Sequence, residues 1–272
     1  MFWGRVLEIL DTQGTTPAVL GWYHIVCFVL FIGIGVLLCL RFKDGERYAR
    51  PIVLITAIIV TVLEVYKMIN YTFSYDGSTI TADFQWYAFP WQFCSTPMYV
   101  GLLTGLFRRG VVHRSLFAYL ATFSLFAGLC VMIYPGDVFT GTVGINIQTM
   151  ICHGSMVSIG IYLFGCGYVR TEHKTILRAI PVFASALAVA MVLNEIAYRT
   201  GLLETDTFNM FFISPYCDPS LPVYSIVQQH VMYPWCLIIY IAAFSLASYL
   251  ILLIAMGIKQ VIATHRRQKQ PA

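Results

Sequence analysis

Six polar side chains interrupt or border stretches that are otherwise almost wholly apolar: Glu64, Lys67, Cys94, His153, Asn194 and Glu195. An ionisable group held in hydrocarbon is costly, so it normally faces a protein interior and marks a site of chemistry, transport or sensing. The thiol and the imidazole matter most, because a cysteine becomes a thiolate nucleophile when a nearby ring takes its proton. Each residue also has a plainer reading. Glu64 and Lys67 are three apart on one helical face and neutralise each other, as Glu195 and Arg199 do at a spacing of four. A membrane cysteine is commonly a small packing residue, and a buried histidine commonly a hydrogen-bonded structural one.

The elements that hold these residues follow from composition. Of 272 residues, 58% are apolar and 11% charged, against roughly a quarter charged in a soluble domain. A water-soluble globule could not cover its surface with so few. A bilayer core about 30 Å thick asks for about 20 apolar residues per helix. Seven such runs are read, at about 18–40, 51–69, 90–107, 116–134, 145–169, 176–198 and 233–258. None alternates at a period of two, which excludes a transmembrane β-barrel. The expected fold is an all-α polytopic membrane bundle of about seven transmembrane helices, a single transmembrane domain over 1–272.

Charge sets the orientation, because Lys and Arg in short loops stay in the cytoplasm. Alternate loops hold Arg41, Lys43, Arg47 and Arg50; Arg108, Arg109 and Arg114; Arg170, Lys174 and Arg178; and Lys259, Arg266, Arg267 and Lys269. The intervening segments hold only Arg5 and Arg199, along with Glu8, Asp11, Asp76, Asp83, Asp137, Glu204, Asp206 and Asp218. The N-terminus is therefore expected outside, the C-terminus inside, and the protein multi-pass in the cell membrane. The net charge of +4 records topology and calls for no nucleic-acid partner. Bases follow the first apolar run instead of preceding it, so the N-terminus does not read as a cleaved signal peptide. Phe2, Trp3, Val6, Leu7, Ile9 and Leu10 lie near one helical face and rest in the outer interface.

Most of the eight cysteines fall within helices, which is not a disulfide scaffold, and no spacing resembles a zinc site. No metal or cofactor is implied. A long outer loop runs over 200–232, and its aromatics Phe208, Phe211, Phe212 and Tyr216 favour a piece lying on the bundle.

Helical rise places the six polar residues in one layer, roughly 6 to 12 Å below the outer surface, with almost purely apolar residues on the cytoplasmic side. Cys94 lies between Pro90 and Pro97, where a kink opens space around the sulfur. Gly101 and Gly105 form a small-xxx-small pair, a sign of close helix packing.

The Pro90-Trp91-Gln92-Phe93-Cys94 entry, the His153 helix ending in Ile161-Tyr162-Leu163, and Asn209-Met210-Phe211 before the last helix resemble bacterial YwaF-type membrane proteins. Those are related in turn to the eukaryotic transmembrane-protein-164 family. The chain departs from that pattern in having no proline after His153 in its helix. The resemblance implies a lipid acyltransferase or transacylase with membrane partners of the phospholipid and lysophospholipid classes. Cys94 matches the cysteine nucleophile and His153 its histidine partner. On that mechanism Glu64 orients His153, and Gln92 or Asn194 donates to the oxyanion. Because the site opens outward, a membrane phospholipid is a better acyl donor than a cytoplasmic thioester.

Two other classes use the same residues. A small-molecule or ion transporter would run its path through the buried Glu64, Lys67 and His153, and flux lost on Glu64→Gln would mark it. A non-catalytic sensor would use the long loop to cover a ligand. A retinal protein is excluded by the absence of lysine from 233–258. Oligomeric state is not legible.

Overall fold

The computed structural model describes residues 2–218 and 221–268. Pro219 of the long loop and Lys269 of the basic tail lie outside them. In a bilayer the α-helix satisfies every backbone N–H and C=O within one segment, so apolar runs of this length wind into helices. The chain begins with α1 (Phe2–Leu10), then α2 (Trp22–Arg41) and α3 (Gly45–Thr72), joined by a tight turn in which the Asp44 carboxylate caps α3 at Arg47 N. A hairpin of β1 (Phe73–Tyr75) and β2 (Ile80–Ala82) precedes α4 (Thr96–Leu106). A continuous helical rod follows, made of α5 (Gly110–Tyr119), a π-helical turn at Leu120–Ser124, and α6 (Leu125–Ile133). The rest is α7 (Val143–Gly165), α8 (Lys174–Arg199), α9 (Pro222–His230) and α10 (Tyr233–Gln268).

Among the described residues six of these units are long and apolar enough to cross a membrane: α2, α3, the α5–α6 rod, α7, α8 and α10. The all-α membrane bundle is thereby established. The run at about 90–107, expected as a seventh, is not among them. It enters as irregular chain and becomes helical only at Thr96, because Pro97 has no N–H to give and fits only a first turn. The result is an 11-residue helix. At about 1.5 Å per residue it is about half a span. It sits close against α3, where a Cβ placed on Gly101 would lie 2.7 Å from that of Ala57, so the small residue there serves packing.

The core helix is α7. Of its apolar window 83% is buried, against 17% for α2 and α3, whose outward faces carry Val29, Leu37, Ile55 and Val62. The linkers α4–α5 and α7–α8 and the adjoining ends of α3 and α5 gather Arg50, Arg108, Arg109, Arg114 and Arg170 at one end of the bundle, the basic end. The opposite, loop-rich end carries α1, the hairpin and the 200–232 segment. There Gly14 N donates to Gly141 O at 2.7 Å, and Tyr66 OH to Leu10 O at 2.8 Å, tying the N-terminal segment down. In the hairpin turn the Asp76 carboxylate accepts the amides of Thr79 and Ser78, which hold its carboxyl well below the usual carboxylate range.

The long segment differs from its expectation. It enters the bundle instead of lying on it: Phe208, Met210, Phe211 and Ile213 are almost completely buried. Phe211 and Phe212 take left-handed backbone angles, φ 58° and 56°, which costs an L-residue roughly 1–2 kcal/mol each.

Candidate functional site

The polar layer resolves into two clusters and a surface pair. The first cluster surrounds a cavity of about 40 Å³ between α3, α4, α7 and the π-helical turn, with Cys94, Cys152, Ser124, Ser155 and Met98 on its wall. Cys94 is there because the chain between Pro90 and Pro97 cannot continue a helix. Ser95 N turns back to Gln92 O at 2.9 Å, and the sulfur is left at the mouth of α4. The π turn inserts one residue into the α5–α6 rod and presents Leu120 and Ser124 to the cavity; such bulges are frequent at functional sites. Among the described residues neither the Cys94 thiol nor the Ser124 hydroxyl has a hydrogen-bond partner.

Toward the loop-rich end the cavity meets a buried polar chain. Lys67 Nζ lies 2.5 Å from Glu64 Oε1, and Gln148 Nε2 donates to Glu64 Oε2 and to Cys152 Sγ, each at 3.3 Å. The plainer reading of the Glu64–Lys67 pair is thus what the geometry displays. Glu64 does not orient His153, because Lys67 and Gln148 occupy its carboxylate. Met98 also borders an apolar groove of about 440 Å³ between α3 and α4, lined by Met68, Tyr99, Leu102 and Pro90.

His153 is buried on α7, with Nδ1 2.8 Å from Thr149 O. A carbonyl only accepts, so Nδ1 carries the proton and Nε2 of the neutral ring is a free acceptor, the form a general base requires. Nε2 has no partner among the described residues. His153 follows Cys152 but turns about 100° round the helix from it and does not line the cavity. No hydrogen bond joins it to Cys94 among the described residues.

The second cluster holds Gln92 and Asn194, and its work is structural. Gln92 donates to Asn209 O at 3.0 Å and accepts Phe211 N at 2.9 Å. Asn194 donates to Met210 O at 3.0 Å and accepts Met210 N at 2.8 Å. Tyr240 OH closes the set on Phe211 O at 3.0 Å. Irregular backbone inside a membrane bundle needs such partners, and these side chains supply them, so neither amide faces the cavity as an oxyanion donor. Glu195 belongs to neither cluster: it pairs with Arg199 at 2.6 Å and accepts Tyr216 OH at 2.7 Å on the surface.

Sequence reasoning missed Gln148, Cys152 and Ser124. The first two were within reach, being four residues apart and so on one helical face. Ser124 was not, since its direction depends on the π turn.

The TMEM164 family model matches residues 19–254, from just before α2 into α10, and so takes in both clusters. No curated protein and no solved structure matches the chain.

Proposed function

The chain belongs to the TMEM164 family, and from that premise we propose that it is a lipid acyltransferase in which Cys94 carries the acyl group and His153 the proton. One observation carries this reading: an unpartnered thiol lines an intramembrane cavity whose wall, Met98, also borders an apolar groove able to take an acyl chain. Structural cysteines pack or bond; this one is presented to empty space beside a place for hydrocarbon.

The chemistry balances without a cofactor. The Cys94 proton passes to His153 Nε2 as sulfur attacks the ester carbonyl of a phospholipid. The C–O bond breaks, His153 returns the proton to the departing lysophospholipid oxygen, and the acyl group remains as a thioester. A second lysophospholipid hydroxyl then gives its proton to His153 and attacks the thioester. The C–S bond breaks and the thiol is restored. The Ser124 hydroxyl, on the same wall with no other partner, is the donor we assign to the oxyanion in place of Gln92 and Asn194. His153 and Cys94 must come within hydrogen-bond reach once ester fills the cavity, a tightening that catalytic pairs commonly undergo on binding substrate.

The orientation belongs to the same proposal. With the basic end in the cytoplasm, the N-terminus lies outside, the C-terminus inside, and the cavity opens toward the extracytoplasmic leaflet of the cell membrane. A phospholipid of that leaflet is the donor. The test uses full-length protein in liposomes holding a phosphatidylcholine labelled in its acyl chain. Label should reach added lysophosphatidylethanolamine and, without acceptor, accumulate as a hydroxylamine-sensitive adduct on Cys94. Transfer that persists in Cys94→Ala would remove the proposal.

A further inference from the structure

A cavity of about 760 Å³ lies at the basic end, apart from the one that Cys94 lines. The ends of α3, α5 and α8 and the linkers α4–α5 and α7–α8 close around it, and six arginines line it: Arg50, Arg108, Arg109, Arg114, Arg170 and Arg178. One carboxylate, Glu46, shares the wall. Two of the arginines are already engaged. Arg50 donates to Thr104 O and Gly105 O, both at 2.9 Å, which caps α4, and Arg178 pairs with Glu172 at 3.0 Å. The other four have no hydrogen-bond or ion-pair partner among the described residues. The α5 N-terminus opens on the same space at Gly110, and Arg109 makes no side-chain cap there, so its amides add to the positive field. The deeper wall is mixed: Phe117, Ala118 and Val169 are apolar, beside the buried His113 and Thr175.

Arginines stationed only to fix topology need no concave arrangement; they serve equally well spread along linkers and tails, as Arg41 and Lys43 are. Here six guanidinium groups, from helix ends and the linkers beside them, converge on a space with a single carboxylate, Glu46, on its wall. Guanidinium forks match phosphate oxygens two at a time, and the apolar part of the wall suits the glycerol backbone beneath a phosphate. We propose that this cavity binds the headgroup of an anionic phospholipid from the leaflet at the basic end. The site stands independently of the chemistry at Cys94. It seats the bundle in the leaflet opposite the one in which the acyl transfer is placed.

Native mass spectrometry of the full-length protein in detergent, with equal phosphatidylglycerol and phosphatidylcholine added, reads the site directly. The wild type should keep one phosphatidylglycerol in preference to phosphatidylcholine. Arg108→Gln and Arg114→Gln should each weaken that retention roughly fivefold, the scale of one arginine near an anionic lipid. Both side chains are exposed and unpartnered, so the variants should fold, which an unchanged thermal midpoint checks. Arg41→Gln, which removes equal charge outside the cavity, should leave retention unchanged. Equal loss in Arg41→Gln would reduce the effect to general surface charge and overturn the proposal. So would stabilisation by inorganic phosphate or a nucleotide that exceeds that by phosphatidylglycerol, since the ligand would then be a soluble phosphate and not a lipid.

Discussion

Two polar clusters in this bundle differ in one respect, whether their hydrogen-bonding atoms are used. Around the buried 209–211 backbone every relevant atom is spent: both ends of the Gln92 and Asn194 amides, and the Tyr240 hydroxyl, bond to main chain. On the wall of the cavity between α3, α4 and α7 the Cys94 thiol and the Ser124 hydroxyl have no hydrogen-bond partner among the described residues, and neither has Nε2 of His153, which lies off that wall. The cavity wall thus presents a thiol and a hydroxyl to open space, where a ligand could engage them. Depth alone made the two clusters look alike. Satisfaction separates the one that supports the fold from the one that is available to react.

The largest effect that tests this contrast is on transfer. Cys94→Ala should lower acyl transfer by on the order of 10⁴-fold or more, as loss of a nucleophile does, with the thermal midpoint in detergent unchanged. Cys152→Ala removes the other thiol on the wall and should leave transfer within about tenfold, since that sulfur already has a partner in Gln148. If the two variants exchange these outcomes, Cys152 is the nucleophile and the unpartnered-atom criterion fails.

The second cluster should respond in stability. Asn194→Leu leaves the Met210 N–H buried without a partner and its C=O with only the long bond from Ile213 N at 3.5 Å, and should destabilise the protein by about 3 kcal/mol, at roughly 1–3 kcal/mol for each buried group left unsatisfied. Gln92→Leu, at a part-buried site, should cost about 2 kcal/mol on the same reasoning. Equilibrium unfolding in mixed micelles measures both. The two losses should not add, because both side chains brace one short backbone segment. A loss of transfer without a loss of stability in either variant would move that amide into the reacting cluster and erase the distinction.

Much of this fold was legible in the sequence, for a physical reason. Hydrocarbon requires long apolar helices, so the runs around α2, α3, α7, α8 and α10 announce themselves through composition alone. The place where that rule misled is the run at about 90–107. Hydropathy sees its apolar content but not that Pro97 must begin a helix, so α4 is 11 residues long, shorter than the run, and Cys94 sits in irregular chain. Which way each side chain turns was not legible, since azimuth depends on packing. Asn194 and Glu195 are adjacent in sequence, yet one braces Met210 in the interior and the other bonds Tyr216 at the surface. The burial of the 208–213 segment was hidden too, because the aromatics that place it there would equally suit a loop resting on the bundle.

The smallest expected effect belongs to the residues that fall in neither cluster. Arg199 and Glu195 form an i,i+4 pair with side chains 75% and 39% exposed. Water screens both charges, and the long arginine side chain loses rotamer freedom when it is held, so the attraction is nearly cancelled. Arg199→Gln should therefore change neither the thermal midpoint nor acyl transfer measurably. The Tyr216 hydroxyl still donates to Glu195 in that variant, and the ring of Tyr216 still stacks on Tyr198 at 3.7 Å between centroids, so the local fold keeps its other contacts. A substantial loss of transfer in Arg199→Gln would mean that the surface beside the 200–218 segment communicates with the cavity. The two clusters would then have to be treated as one coupled unit.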